Sequence, residues 1–530
     1  MNRPERSKAD SGSRLPTAAW IAPFALIVLI PGLFTQISES RIHAFRTRLY
    51  VTETVMVLVF GLAVALVLYF VFYQRNPGRS LGTASVLVLV FFTWPLWVDL
   101  GGSIRRIVDV DLVADMVTVA LAATIVWLAV RYSDRDSTFF FVAVTGIGVV
   151  LLLVVVTLLV PRVVGAPVGS GPSAGPGPHP NAVILILDGY ARGDVLETSF
   201  GAEGASLVSA LSDRGFVTNH DAATNYSRTS GSISSMLAMD YTFGEGIRSD
   251  ESLDSMRRVL NGDSALVHGY HNAGYTITAY ENWWWGSQCG RSIDNCTRVS
   301  LVQKSLWSLG QVSPLASIQR AMVPHPFVIT GVEMIRELGE QIDGDQAAPQ
   351  LVIAHVTSPH PPGLLNAECS VAVGAGQLSE FAPLDSNAEQ DVRAANQRFV
   401  EQTRCVDREV VAAIDQLLAI DPDLAVLVLS DHGTTTRVQD TARSPDGWSD
   451  DTLLERMAIV MAMRVPADCG LTGPARTPVN AVRSFVSCTT GATLDPLPER
   501  FYFVPAEEWV DAPVVEITDR MRSIQSLSSR

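Results

Sequence analysis

Two short stretches of this 530-residue chain set carboxylates beside an imidazole and glycines: Asp188-Gly189-Tyr190 and Ser430-Asp431-His432-Gly433. Two hard oxygen ligands with an imidazole suit zinc, manganese or magnesium, and the glycines permit tight turns next to the charged groups. Alone, Asp-Gly after a strand is a common turn. Asp-His-Gly after a second strand strengthens the metal reading, because unpaired carboxylates stacked at one sheet edge are costly without a cation. His355 and His360 fall between the two stretches. His355 stands inside an apolar run and fits a satisfied core histidine as well as a functional one, whereas His360, in Ser358-Pro359-His360-Pro361-Pro362, fits a functional role better. A hydroxyl nucleophile is available in the run Asn225 to Leu237, where a helix from Ser230 to Met239 would be capped by Thr229 or Ser230. A hydroxyl there faces the positive end of the helix dipole, and the free amides can hold a phosphate or sulfate; an ordinary Ser/Thr cap would look the same.

Elements that bring these residues together are visible nearby. Ala182 to Leu187 (AVILIL), Leu351 to Val356 (LVIAHV) and Leu424 to Leu429 (LAVLVL) are short continuous apolar runs. Runs of that length, rich in Val and Ile, read as strands buried on both faces of a mainly parallel sheet, with helical pattern between them, as from Val400 to Ala419. Open α/β sheets bind ligands at the carboxyl ends of their strands, so the ionisable residues converge on one edge.

The front of the chain is different. Five apolar runs, roughly Ala19 to Thr35, Thr54 to Tyr73, Thr83 to Leu100, Leu112 to Val130 and Thr138 to Val160, each approach the length needed to cross a bilayer. Residues 1–160 hold 13 basic and 10 acidic side chains, leaving 26 and 44 for the rest, so net charges of +3 and −18 divide the overall −15. An acidic domain of that size repels phosphate backbones and excludes a generic nucleic-acid binder. The sequence therefore predicts a cytoplasmic tail (1–18), an all-α anchor of five transmembrane helices (19–160), a Gly/Pro-rich linker (161–180) and an extracytoplasmic α/β domain (181–530). With a cytoplasmic N-terminus, eight Lys/Arg residues lie inside and six outside, in the sense of the positive-inside rule. All six cysteines lie in the acidic part, which suits an oxidising compartment; nearest-neighbour pairing would close 289–296, 369–405 and 469–488, one of fifteen connectivities.

Strand-Asp-Gly, a Thr opening a Ser-rich helix, His-x-x-x-x-His-Pro and Ser-Asp-His-Gly, in that order, resemble the alkaline phosphatase superfamily over about residues 180–465, closest to the sulfatase-like branch of lipoteichoic acid synthases and phosphoethanolamine transferases. The resemblance implies that Asp188, Asp431 and His432 hold a divalent metal, and that Thr229 completes its coordination as nucleophile. It assigns His355 and His360 to leaving-group protonation or phosphate contact. It also implies a phospholipid or lipid-linked donor, an envelope glycan or lipid acceptor, and a location in the cell membrane; the same site with water as acceptor would make a phosphodiesterase, and a non-catalytic binding protein could keep the fold. Asp188 stands where those transferases place Glu. No histidine follows His432, so the resemblance implies one metal (Mn, Zn or Mg) rather than two. Ser227-Arg228-Thr229-Ser230-Gly231 lacks the C/S-x-P-x-R context of formylglycine sulfatases, so sulfate ester hydrolysis is not expected.

Overall fold

The computed structural model describes residues 17–39, 47–71, 77–94, 170–177, 179–202, 207–281, 289–290, 292–297, 301–315, 326–342, 348–361, 363–371, 389–434, 443–469, 475–505 and 512–528, with a few isolated positions elsewhere. It divides into an apolar unit of residues 1–41, 45–164 and 300–319, and a second unit that carries most of the remainder. The helices used below are α1 (Ile21–Glu39), α2 (Thr47–Val71), α3 (Pro77–Phe92), α4 (Thr229–Ala238), α5 (Leu301–Gln311), α6 (Glu389–Ile420) and α7 (Asp450–Met457).

In the apolar unit α1, α2 and α3 correspond to the first three expected spans. Among the described residues one helix is long and apolar enough to cross a membrane, from Tyr50 to Val71; Ala18–Pro31 and Ser80–Phe92 are shorter apolar stretches. The expected spans from 112 to 130 and from 138 to 160 lie largely outside the described residues. The expected boundary at 181–530 takes in residues 300–319, which the structure instead packs with the apolar unit.

The second unit is built on a seven-stranded sheet. Its strands are β1 (Ala182–Leu187), β2 (Val217–Thr218), β3 (Thr276–Tyr280), β4 (Asn295–Thr297), β5 (Gln350–Val356), β6 (Ala425–Ser430) and β7 (Met461–Arg464), in the order β2-β7-β6-β1-β5-β3-β4. β4, β3, β5, β1 and β6 run parallel, and β7 is antiparallel to both β6 and β2. The three apolar runs are thus its adjacent centre, buried throughout. Alternate side chains feed two cores: Ile184, Ile186, Ile353 and Leu429 pack with Ile233 and Met236 of α4, while Val183, Leu185, Val356 and Val428 pack with Val406, Val410 and Ile414 of α6. This is the period-two alternation of a strand covered on both faces.

Register fixes what reaches the edge. Leu187 is level with Val356 on one side and Ser430 on the other, so Asp188 and Asp431 leave neighbouring strands at the same height. All six cysteines are paired, as Cys289–Cys296, Cys369–Cys405 and Cys469–Cys488, each with its nearest neighbour in sequence. The described part of the linker is not a free spacer. Gly175 N–H donates to the Thr490 carbonyl at 3.0 Å, and a Cβ there would stand 2.0 Å from the carbonyl oxygen of Gly491. Glycine at this position serves close backbone approach.

Candidate active site

Asp188 follows β1 directly, and its amide donates to the Val356 carbonyl at 2.8 Å, pinning the turn to β5. Gly189 then takes φ +72°, and a Cβ on it would lie 3.2 Å from the Cα of His360. That position needs both the left-handed conformation and the missing side chain. The Asp431 turn after β6 is held differently: one carboxylate oxygen, Oδ1, accepts from the amides of Gly189 at 3.2 Å and His432 at 2.8 Å. A Cβ at Gly433 would stand 2.1 Å from the Glu455 carbonyl oxygen of α7, so only glycine lets the chain pass.

The helix carrying the hydroxyl begins at Thr229, with Arg228 as its N-cap and Met239 as a left-handed C-cap. This corrects the expected cap at Thr229 or Ser230 by one or two residues: Thr229 is the first helical residue. Gly231 faces the Tyr226 ring, where a Cβ would come within 3.0 Å. The neighbouring hydroxyls are engaged elsewhere. Ser227 Oγ accepts from the Val504 amide at 2.9 Å, Ser232 pairs with Thr224 at 3.0 Å, and Ser234 donates to the Ser230 carbonyl at 2.5 Å. Thr229 Oγ1 instead stands 2.9 Å from Nε2 of His432.

Proton placement on His432 follows from its other nitrogen. Nδ1 lies 2.7 Å from the Gly433 carbonyl oxygen; a carbonyl only accepts, so Nδ1 carries the hydrogen and Nε2 of the neutral ring presents a lone pair. Burial and the nearby Arg456 guanidinium push the His432 pKa well below the usual histidine value, which keeps the ring neutral. That lone pair faces Thr229, the Arg456 guanidinium at 3.3 Å, Asp431 Oδ2 at 3.4 Å and Asp188 Oδ1 at 3.6 Å. His355 points its Nε2 at the other Asp188 oxygen, 3.6 Å away. It is therefore part of the cluster and not a core histidine. His360, half-buried, donates from Nδ1 to the Pro361 carbonyl at 2.6 Å, and its ring centroid is 5.9 Å from that of His432.

The two carboxylates are fully buried, and neither Asp188 Oδ1 nor Asp431 Oδ2 accepts a hydrogen bond. Burial opposes the Asp188 charge, but His360, His355 and His432 outweigh it and hold its pKa below the ordinary carboxylate range. Asp431 is pushed up to about 7 by burial and then by the Asp188 charge beside it. Orphaned carboxylate oxygens and an inward lone pair form a donor set that fits a divalent cation. Two triads of donor atoms, each within 4.8 Å of one another, share Asp188: one with His360 and His432, the other with His355 and Asp431. All six residues singled out in the sequence thus meet at one edge.

Arg456 was not among them. It is buried, donates from Nε to the Ser227 carbonyl at 2.8 Å, and brings a permanent cation to the turn before Thr229. Its position inside an amphipathic α7 gave no sign of this; the signal available was a charge directly before the apolar run from Met457 to Met463. Arg192 pairs with Asp194 at 2.7 and 2.8 Å, as an ion pair with an acidic neighbour. Trp283, Trp284 and Trp285 lie outside the described residues.

A parallel sheet that delivers its charged residues to the carboxyl ends of three central strands, beneath a hydroxyl at a helix start, defines a hydrolase or group transferase of the alkaline phosphatase superfamily. Within it the chain belongs to the sulfatase family, whose model, described as Sulfatase, matches residues 180–455. Similar solved structures include the C-terminal periplasmic domain of EcEptC from Escherichia coli (13% identity, 67% of this chain and 96% of that one, TM-score 0.39). Others are the corresponding domain of phosphoethanolamine transferase EptC from Campylobacter jejuni (11%, 58% and 89%, 0.35) and the phosphonate monoester hydrolase of Agrobacterium radiobacter (13%, 61% and 80%, 0.39). No curated protein matches the sequence. With every cysteine in a disulfide, none is available for conversion to formylglycine.

Proposed function

We propose that the chain is a membrane-anchored, metal-dependent phosphotransferase that moves a phosphoglycerol- or phosphoethanolamine-type group from a lipid donor to an envelope glycan or lipid. The approach of Thr229 Oγ1 to the unprotonated Nε2 of His432 at 2.9 Å, beside two buried carboxylate oxygens without hydrogen bonds, supports this most strongly. Asp188, Asp431 and His432 would hold one Mn, Zn or Mg ion together with the Thr229 hydroxyl. Bound there, the ion lowers the hydroxyl pKa and offsets charge on the phosphoryl group.

Thr229, its lowered-pKa hydroxyl having lost its proton to solvent, attacks phosphorus as the alkoxide, forming a Thr O–P bond as the bond to the donor's alkoxide breaks. His360, at the half-buried rim of the cluster, gives the departing alkoxide a proton, and His355 contacts a phosphoryl oxygen. The acceptor alcohol then loses its proton to His360 and attacks the phosphothreonine, which frees Thr229. Five membrane spans with a cytoplasmic N-terminus would put this unit outside the cytoplasm, in keeping with its three disulfides. Tethering to the bilayer raises the effective concentration of a lipid donor.

Purified protein given a headgroup-labelled phosphatidylethanolamine or phosphatidylglycerol tests this. Label should leave the lipid only when divalent metal is present, should cease on chelation, and should return with Mn, Zn or Mg. Release that survives full chelation, with no metal by elemental analysis, would overturn the metal-dependent reading.

A further inference from the structure

The helix α5 lies, in sequence, deep inside the catalytic half, yet it belongs to the apolar unit. Its inner face carries Ser305, Leu309 and then Val312, spaced to fall on one side of a helix. Leu309 and Val312 share a buried cluster with Trp20, Phe24, Val57 and Val88 of the apolar unit. The carbonyl of Val312 accepts from the Trp94 amide at 3.3 Å, so this segment reaches the C-terminal end of α3. The flank beside it is exposed and carries Gln303 together with apolar side chains. Val302 and Leu306, one helical turn apart, are 55% and 57% exposed, and Leu315 beyond them is 50% exposed. A short helix with one face in the core of a helical bundle has reason to keep its outer face polar if that face meets water.

We infer that residues 301–315 form a membrane-interface segment whose outer face, Val302, Leu306 and Leu315, contacts the acyl chains of the bilayer. The choice of lipid as occupant follows from continuity: α2, packed directly against α5, leaves Val55, Val59, Leu62, Leu66 and Phe70 exposed in the same way. The inference rests on the reading of the apolar unit as a membrane anchor and is independent of the proposed phosphoryl chemistry.

Since every native cysteine is in a disulfide, single labels can be placed cleanly. Full-length Leu306→Cys, Leu315→Cys, Val59→Cys and Ile247→Cys proteins would carry bimane in phosphatidylcholine/phosphatidylglycerol nanodiscs, with or without lipids bearing an acyl-chain nitroxide. Leu306 and Leu315 should lose fluorescence to the lipid nitroxide, as Val59 on α2 does, and resist aqueous iodide. Ile247, 70% exposed in the catalytic unit, should respond only to iodide. Quenching of Leu306 and Leu315 by iodide alone, or by neither agent as if protein covered them, would overturn the inference while leaving the anchor standing. Loss of lipid quenching at Val59 as well would remove the anchor reading on which it rests.

Discussion

Both units are made from unbroken apolar runs, and they treat them in opposite ways. The six residues of β1 are lost in the core at 0–1% exposure, while α2 displays Val59 and Val71 at 62%. Length separates the two cases: six apolar residues fit between helical layers, whereas the unbroken run from Val55 to Val71 of α2 exceeds what a small bundle can cover. The difference also governs charge. In the catalytic unit buried carboxylates meet imidazoles and backbone amides at the sheet edge, a donor set that fits a cation. The outer face of α2 carries apolar side chains instead.

The comparison breaks most visibly at Thr229. Thr229→Ala should lower transfer by at least ~10³-fold with the fold intact by circular dichroism, while Val59→Leu on the apolar unit should leave turnover unchanged; equal losses would mean that Thr229 acts only structurally. A charge sharpens the contrast next. Val59→Arg should cost roughly 2.5–3.5 kcal/mol of membrane insertion, measured by glycosylation-reporter insertion. Ile247→Arg, on an exposed position of the catalytic unit, should change chemical-denaturation stability by no more than ~0.5 kcal/mol. Smaller again is backbone crowding. Gly433→Ala places a methyl 2.1 Å from the Glu455 carbonyl oxygen, whereas Gly447→Ala meets nothing within 4 Å; the first should destabilise by ~1–3 kcal/mol and the second hardly at all.

The last test is a pH slope. Burial raises the Asp407 pKa to about 7, against which its hydrogen bond with the Tyr190 hydroxyl works. A raised folded pKa favours the protonated form, so its contribution to stability is fully present below the unfolded value of ~3.9. That contribution falls as pH rises toward 7, by at most ~1.4 kcal/mol per pH unit. Denaturation across pH 4 to 7 should show the slope in the parent protein and a shallower one in Asp407→Asn, which keeps the contribution of Asp431.

What the sequence made legible follows the same division. AVILIL, LVIAHV and LAVLVL announced buried strands because continuous Val/Ile runs of that length have few other uses, and the charged residues after them marked the edge. Nearest-neighbour cysteine pairing also held. The rest was hidden for identifiable reasons. Arg456 sits in a helix with acidic and apolar neighbours, a pattern shared by any surface helix. The packing of α5 with the apolar unit could not be read from LVQKSLWSLGQ, because Lys304 and two glutamines give it the look of a soluble amphipathic helix. The linker's glycines read as flexibility, when at Gly175 they serve contact. His355 was undecided because its apolar flanks describe the strand, and only the register beside β1 turns it toward Asp188.

The central claim is that Thr229 carries the transferred phosphoryl group. Metal-loaded protein, mixed with phospholipid donor in the absence of acceptor, acid-quenched and digested, should yield the Thr229 peptide with a phosphate-bearing adduct confined to that residue by tandem mass spectrometry, and Thr229→Ala should yield none. An adduct on Ser227 or Ser230, or turnover by Thr229→Ala at the parent rate, would contradict the account.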